Sequence, residues 1–118
     1  MKKKDLGKKG EEIAAKYLIK SGYKIIEKNF RTKYGEIDLI CEKDDSIIFI
    51  EVRTKSNLDF VSPEESISSK KIDHIKNSSL DYLSKNKKKY KDIKFEFIGI
   101  LISSKNDYKL NHIKDIIF

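Results

Sequence analysis

The chain predicts an α/β sandwich with a central mixed five-stranded sheet flanked by helices, in the order helix, three strands, helix, two strands (αβββαββ). Three observations carry this expectation. Two stretches place apolar residues at helical spacing. Five runs rich in Ile, Phe, Tyr and Val read as strands. The first three runs follow one another across tight turns, which favours an antiparallel meander. At 118 residues, with a hydrophobic fraction of 38% and six each of Phe and Tyr, the chain reads as one domain over residues 1–118. That apolar content argues against wholesale disorder.

The first helix is expected from Asp5 to Lys20, with Leu6, Ile13, Ala14, Tyr17 and Leu18 as its apolar stripe. Ser21-Gly22 is a natural stop. Tyr23 to Phe30 reads as a strand, and Lys33-Tyr34-Gly35 as a turn. Glu36 to Cys41 alternates, which puts Ile37, Leu39 and Cys41 on one face and Glu36, Asp38 and Ile40 on the other. After a turn at Lys43-Asp44-Asp45-Ser46, the run Ile47 to Val52 is apolar except for Glu51, the mark of a strand buried on both faces. Ser62-Pro63-Glu64-Glu65 has the chemistry of a helix start, and Ser68-Ser69 offers a second one. Ile72, Ile75, Ser79 and Leu83 carry that helix to about Ser84. The Lys-rich segment Lys85 to Lys91 reads as a solvated loop, followed by strands at Ile93–Ile102 and Tyr108–Ile113.

Lys and Arg number 26 against 19 Asp and Glu, a formal net charge of +7. Such a field favours polyanions, nucleic acid before an acidic membrane, because no basic amphipathic helix stands out. Cys41 is the only cysteine, which excludes an intramolecular disulfide and a thiolate zinc site within one chain. The basic N-terminus has no apolar run behind it, and no stretch approaches a membrane span. The expected compartment is the cytoplasm, with no membrane partner. There is no Walker-type glycine loop, dinucleotide fingerprint or nucleophilic triad.

Glu51 is the most informative residue. A carboxylate inside an apolar strand needs a cation, a metal or a proton. If the hairpin closes at residues 43–46, positions whose numbers sum to 89 lie opposite, and Asp38 then faces Glu51. Two carboxylates held close repel each other. A hard divalent ion relieves that repulsion, and so does a salt bridge to Arg53 or a lysine. Strand spacing puts Arg53 and Lys55 on the Glu51 side, where a cation can hold a phosphate. Glu11, at the edge of the first helix's buried face, is either a third acid of this site or a rim carboxylate near Lys8. Glu12 reads as a surface partner of Lys16. Tyr34 is a candidate for base stacking or an aromatic that caps the core. His74 and His112 have no partner at metal spacing, and Lys87-Lys88-Lys89 reads as solvated.

At Gly35-Glu36-Ile37-Asp38-Leu39-Ile40 and Phe49-Ile50-Glu51-Val52-Arg53-Thr54-Lys55, the chain resembles the YraN family of predicted endonucleases. That family is similar to archaeal Holliday-junction resolvases and the restriction-endonuclease-like, PD-(D/E)XK superfamily. The resemblance begins at Leu6-Gly7-Lys8-Lys9-Gly10-Glu11 and takes in Asn29-Phe30-Arg31, Pro63, Lys70, Tyr82-Leu83 and Lys94-Phe95-Glu96. It implies a restriction-endonuclease-like fold and a nuclease dependent on Mg²⁺ or Mn²⁺. Asp38 and Glu51 would be metal ligands with the Val52 carbonyl, and Glu11 the helical acid. Lys70, with Lys71 beside it, would lie near the phosphates. The expected partner is structured or single-stranded DNA, and a twofold substrate would call for a homodimer. Two departures stand out. Arg53 occupies the place of the superfamily's catalytic lysine, and Phe95-Glu96 replaces the usual Phe-Asp. Arg53 therefore also supports a rival from another class, a non-catalytic nucleic-acid-binding module or an accessory subunit.

Overall fold

In the computed structural model, which describes residues 2–56, 68–104 and 106–116, the expected order αβββαββ is present. Helix α1 spans Lys3–Lys20. Strands β1 (Lys24–Thr32), β2 (Gly35–Lys43) and β3 (Ser46–Ser56) follow, then helix α2 (Ser69–Lys85), β4 (Asp92–Ser104) and β5 (Asp107–Ile113). The strands lie in sequence order across one sheet. β1, β2 and β3 form the antiparallel meander, and β4 and β5 are also antiparallel. β3 and β4 are parallel, so the sheet is mixed. That pairing requires a crossover long enough to hold a helix, and α2 lies in it.

Local chemistry explains the boundaries. α1 ends where Gly22 takes a φ of +90°, a conformation that costs glycine little. α2 begins at the second of the two expected starts: the Ser68 side chain accepts the Lys71 backbone N–H at 3.1 Å. The alternative start at Ser62-Pro63 lies outside the described residues. The hairpin between β2 and β3 turns through Asp44 and Asp45, both at positive φ, as a two-residue hairpin requires.

The sheet buries two apolar layers. Under α1, Ala14 and Leu18 pack on Leu39, Cys41, Ile50 and Val52. Under α2, Tyr82 and Leu83 pack on Ile40, Ile47 and Phe49. β3 supplies both layers, as its unbroken apolar run requires. One expectation needs correcting. Ile37 does not share a face with Leu39 and Cys41; it packs with Ile40 in the α2 layer. The reason lies beside Asp38. β1 pairs Lys28 with Leu39 and Phe30 with Ile37, and Asn29 between them has a φ of +52°. The β2–β3 ladder also stops at Leu39. Freed from regular pairing on both sides, β2 twists at Asp38 and turns Ile37 over.

α1 sits unusually close to β3. A Cβ on Gly10 would lie 1.7 Å from Thr54 Oγ1, so only glycine allows this approach. It sets the height of the next residue, Glu11, above the sheet. Among the described residues, no helix is long and apolar enough to cross a membrane.

Candidate active site

The site forms where two strands part. β2 and β3 pair from Lys43↔Ser46 to Leu39↔Ile50, in the register that sets Asp38 opposite Glu51. Beyond that point β3 stays paired with β4 as far as Ser56↔Ile102 but loses β2. Asp38 fills the break: its Oδ2 accepts the Val52 backbone N–H at 2.8 Å, a contact from side chain to backbone where the ladder would have continued. A groove of about 790 Å³ opens there. Its walls include the acids Glu11, Glu36, Asp38 and Glu51 and the cations Lys4, Lys8, Arg31, Arg53, Lys55 and Lys71.

Glu51 is only 5% exposed. Its neighbours Ile50 and Val52 point under α1, so alternation turns Glu51 to the α2 side. There Lys71 Nζ lies 3.2 Å from Glu51 Oε2. The contact is a single ion pair to one carboxylate oxygen, with no aligned hydrogen bond to Oε2 among the described residues. Burial, then the hydrogen bond and charge of Asp38, hold the Glu51 carboxyl well above the usual carboxylate range; Lys71 offsets this in part. Arg53 Nε and Thr54 Oγ1, from residues that also line the groove, are likewise buried without a hydrogen-bond partner among the described residues.

Glu11 stands across the groove. Burial raises its pKa first, followed by the charges of Asp38 and Glu36. Asn29 connects these acids. With its amide nitrogen facing the groove, the orientation its neighbours require, it donates to Glu11 Oε1 at 2.7 Å and to Glu36 Oε1 at 3.1 Å.

The sequence matches a known family over most of its length. The description "Uncharacterised protein family UPF0102" fits residues 10–100. A UPF0102 protein of Syntrophomonas wolfei is 46% identical over 110 residues, covering 93% of this chain and 95% of its own. One from Clostridioides difficile is 42% identical over 113 residues, 96% of each chain. One from Dictyoglomus turgidum is 37% identical over 107 residues, 91% of each. The chain belongs to the UPF0102 family. This is the YraN family that the motifs resemble. The UPF0102 match spans Glu11, Asn29, Asp38, Glu51, Arg53 and Lys71.

In this UPF0102 fold, Glu11, Asp38, Glu51, Val52, Arg53 and Lys55 all line one groove. The salt bridge to a lysine that the sequence offers as an alternative is present at Glu51, but the lysine is Lys71 of α2 and not a neighbour on a strand; Asp38 is held by a backbone N–H. Of the paired lysines, Lys71 faces the groove, whereas Lys70 is exposed and lies outside its lining. Tyr34 neither lines the groove nor caps the core. It is 39% exposed, with Lys33 Nζ 5.2 Å from its ring centre. His74 packs over Gly35.

Two features escaped the sequence reading. Asn29 was no candidate for the site, although a lone Asn inside a strand run, where such residues are depleted, was the available signal. The second is a buried network behind the site. Glu96 accepts from Tyr23 Oη at 2.7 Å and meets His112 Nε2 at 2.7 Å, and Tyr17 Oη lies 2.8 Å from His112 Nδ1. Burial pushes the Glu96 carboxyl up, but the bonds from His112 and Tyr23 outweigh it and hold the pKa low. Glu96 thus has a supporting role, and its signal was the same as that of Glu51: a charge inside an apolar run.

Among the described residues, no cluster of three or more His, Cys, Asp or Glu side chains is placed to hold a metal ion. The donor set in the groove is smaller but hard: two carboxylates within hydrogen-bonding reach of each other, one with a buried oxygen that has no aligned hydrogen bond among the described residues. That set suits a hard divalent cation that keeps most of its waters, as Mg²⁺ does.

Proposed function

We propose that this UPF0102 protein is a metal-dependent nuclease that hydrolyses phosphodiester bonds of structured or single-stranded DNA. One observation carries the reading: a buried carboxylate, Glu51, is held beside Asp38 at the floor of a groove rimmed by cations. A buried carboxylate beside a second, half-buried acid costs stability unless it serves a cation, and the basic rim suits a phosphate backbone. The restriction-endonuclease-like resemblance of the same residues points the same way. Asp38 and Glu51, with the Val52 carbonyl, would hold Mg²⁺ or Mn²⁺. The bound ion would supply an activated water and neutralise charge at the scissile phosphate.

The chain's own groups have distinct parts in this reading. The Val52 N–H fixes the Asp38 carboxylate, leaving its other oxygen for the cation. Arg53 and Lys55 grip phosphate oxygens as charge develops on them. Arg53 does not serve as the proton acceptor, because a guanidinium stays protonated. Glu11, held by its bond from Asn29, orients water on the far wall. The reading places the protein in the cytoplasm, and a twofold-symmetric substrate would call for a homodimer.

A non-catalytic nucleic-acid-binding module is the second reading. Lys71 already occupies the cation position at the Asp38–Glu51 pair, and Arg53 stands where the superfamily has lysine. An accessory subunit of a DNA-processing complex belongs to the same class. The deciding experiment is cleavage of labelled duplex, single-strand, flap and four-way-junction DNA in Mg²⁺, Mn²⁺ or EDTA. Wild type is expected to cut with metal, and Asp38→Ala and Glu51→Ala to lose at least about a hundredfold in rate. Salt-sensitive binding without cleavage in any metal would favour the binding module, and cleavage only with added partners the accessory subunit.

A further inference from the structure

We infer that Lys71 is a built-in counter-ion that competes with a divalent cation for the Asp38–Glu51 pair. The inference rests on the reading of that pair as a cation site. Glu51 is 5% exposed, and an unpaired charge there would be costly. Lys71, with its side chain 29% exposed, supplies the only ion pair to Glu51 among the described residues. Arg53 and Lys55 line the same groove, yet neither forms an ion pair with Asp38 or Glu51 among the described residues.

The position of Lys71 is locally unfavourable, which sharpens the argument. It sits in the first turn of α2, where the helix dipole disfavours cations, and that turn contains no acidic residue. Ser68 caps the Lys71 N–H itself, so the helix start is pinned at this residue. What compensates the ammonium is Glu51, from β3.

The contact is also easily exchanged. Lys71 Nζ meets Glu51 through Oε2 at 3.2 Å, and its side chain is 29% exposed to solvent. A lysine ammonium is a flexible, well-hydrated point charge on a four-carbon stem. It can neutralise the pair in the absence of metal and withdraw when a doubly charged ion arrives. The ion and the ammonium then bind in mutual exclusion, and removal of one tightens the other.

Mn²⁺ binding to the full chain by calorimetry tests this, using wild type, Lys71→Met, Lys71→Arg and the exposed-site control Lys70→Met. Methionine keeps the stem and removes the charge. Lys71→Met is expected to bind Mn²⁺ at least about fivefold more tightly than wild type. Its melting temperature in EDTA should fall and recover with Mn²⁺. Lys71→Arg, whose fork can engage both carboxylate oxygens, is expected to bind Mn²⁺ more weakly, which keeps the test open if Lys71→Met folds poorly. Lys70→Met should match wild type. Unchanged or weaker Mn²⁺ binding by Lys71→Met, or unchanged binding by Lys71→Arg, would overturn the inference. No Mn²⁺ binding by any form would overturn both this inference and the metal-dependent reading. Tighter binding by Lys71→Met without DNA cleavage by any form would uphold the inference and remove the nuclease reading alone.

Discussion

Glu51 makes the folded protein sensitive to pH in a direction opposite to that of an ordinary ion-paired acid. Burial and Asp38 raise its pKa from the usual 4.5 to about 9, with Lys71 offsetting this in part, so within that window the Asp38–Glu51 pair holds one proton that the unfolded chain releases, and Lys71 balances the single charge that remains. Stability is therefore greatest at the acid end of the window and falls as pH rises through it. Chemical denaturation in EDTA at about pH 5 and about pH 8 is expected to show this loss, and Glu51→Gln should flatten it. An equal slope in both proteins would mean that Lys71 keeps Glu51 ionised throughout. Cys41 illustrates the contrasting case of burial without a role: its thiol is fully buried and pushed up to about 12, so it behaves as a small apolar residue.

Two contacts between elements define the groove. α1 rests on β3 through Gly10, and the parting of β2 from β3 exposes Asp38 and Glu51. In an open helix, Gly→Ala gains about 1 kcal/mol. Here the new methyl would meet Thr54 Oγ1 and Cβ, at 1.7 and 2.8 Å. The clash wins, and Gly10→Ala is expected to cost roughly 1–3 kcal/mol net by urea denaturation. Nuclease activity should fall with it, because Glu11 moves with the helix. Thr54→Ala in the same chain should restore part of the loss by removing the nearest atom. At the other edge of the sheet, His112 of β5 joins Glu96 of β4 and Tyr17 of α1. That network ties the last strand to the first helix and is satisfied within the protein.

Over the whole molecule, the +7 charge acquires a direction. Lys4, Lys8, Arg31, Arg53 and Lys55 come from α1, β1 and β3 to one groove. If each neutralises a phosphate, log Kobs for duplex DNA should fall against log salt with a slope of roughly −4.5. A filter-binding titration in EDTA measures it. Lys4→Ala and Lys8→Ala are each expected to reduce the slope by about one, uniformly across sequences. A slope near zero would mean that the groove does not bind nucleic acid.

What the sequence determined by itself was local. The order αβββαββ follows from hydrophobic period and turn chemistry, each read within about 20 residues. The Asp38–Glu51 pairing follows from one tight hairpin, whose closure point dictates every partner along it. Ile37 was misplaced because strict alternation holds only while a strand keeps its neighbours, and β2 loses both kinds of regular pairing at Asp38. Asn29 became part of the site only in the tertiary structure, and Lys71, expected near the phosphates, there gained Glu51 as its partner. Asn29 meets Glu11 from across the groove, and Lys71 meets Glu51 after a crossover whose path no local pattern specifies. Side-chain period records which residues face inward. Which charge an inward-facing acid meets depends on how separate elements approach through space, and that is decided by packing.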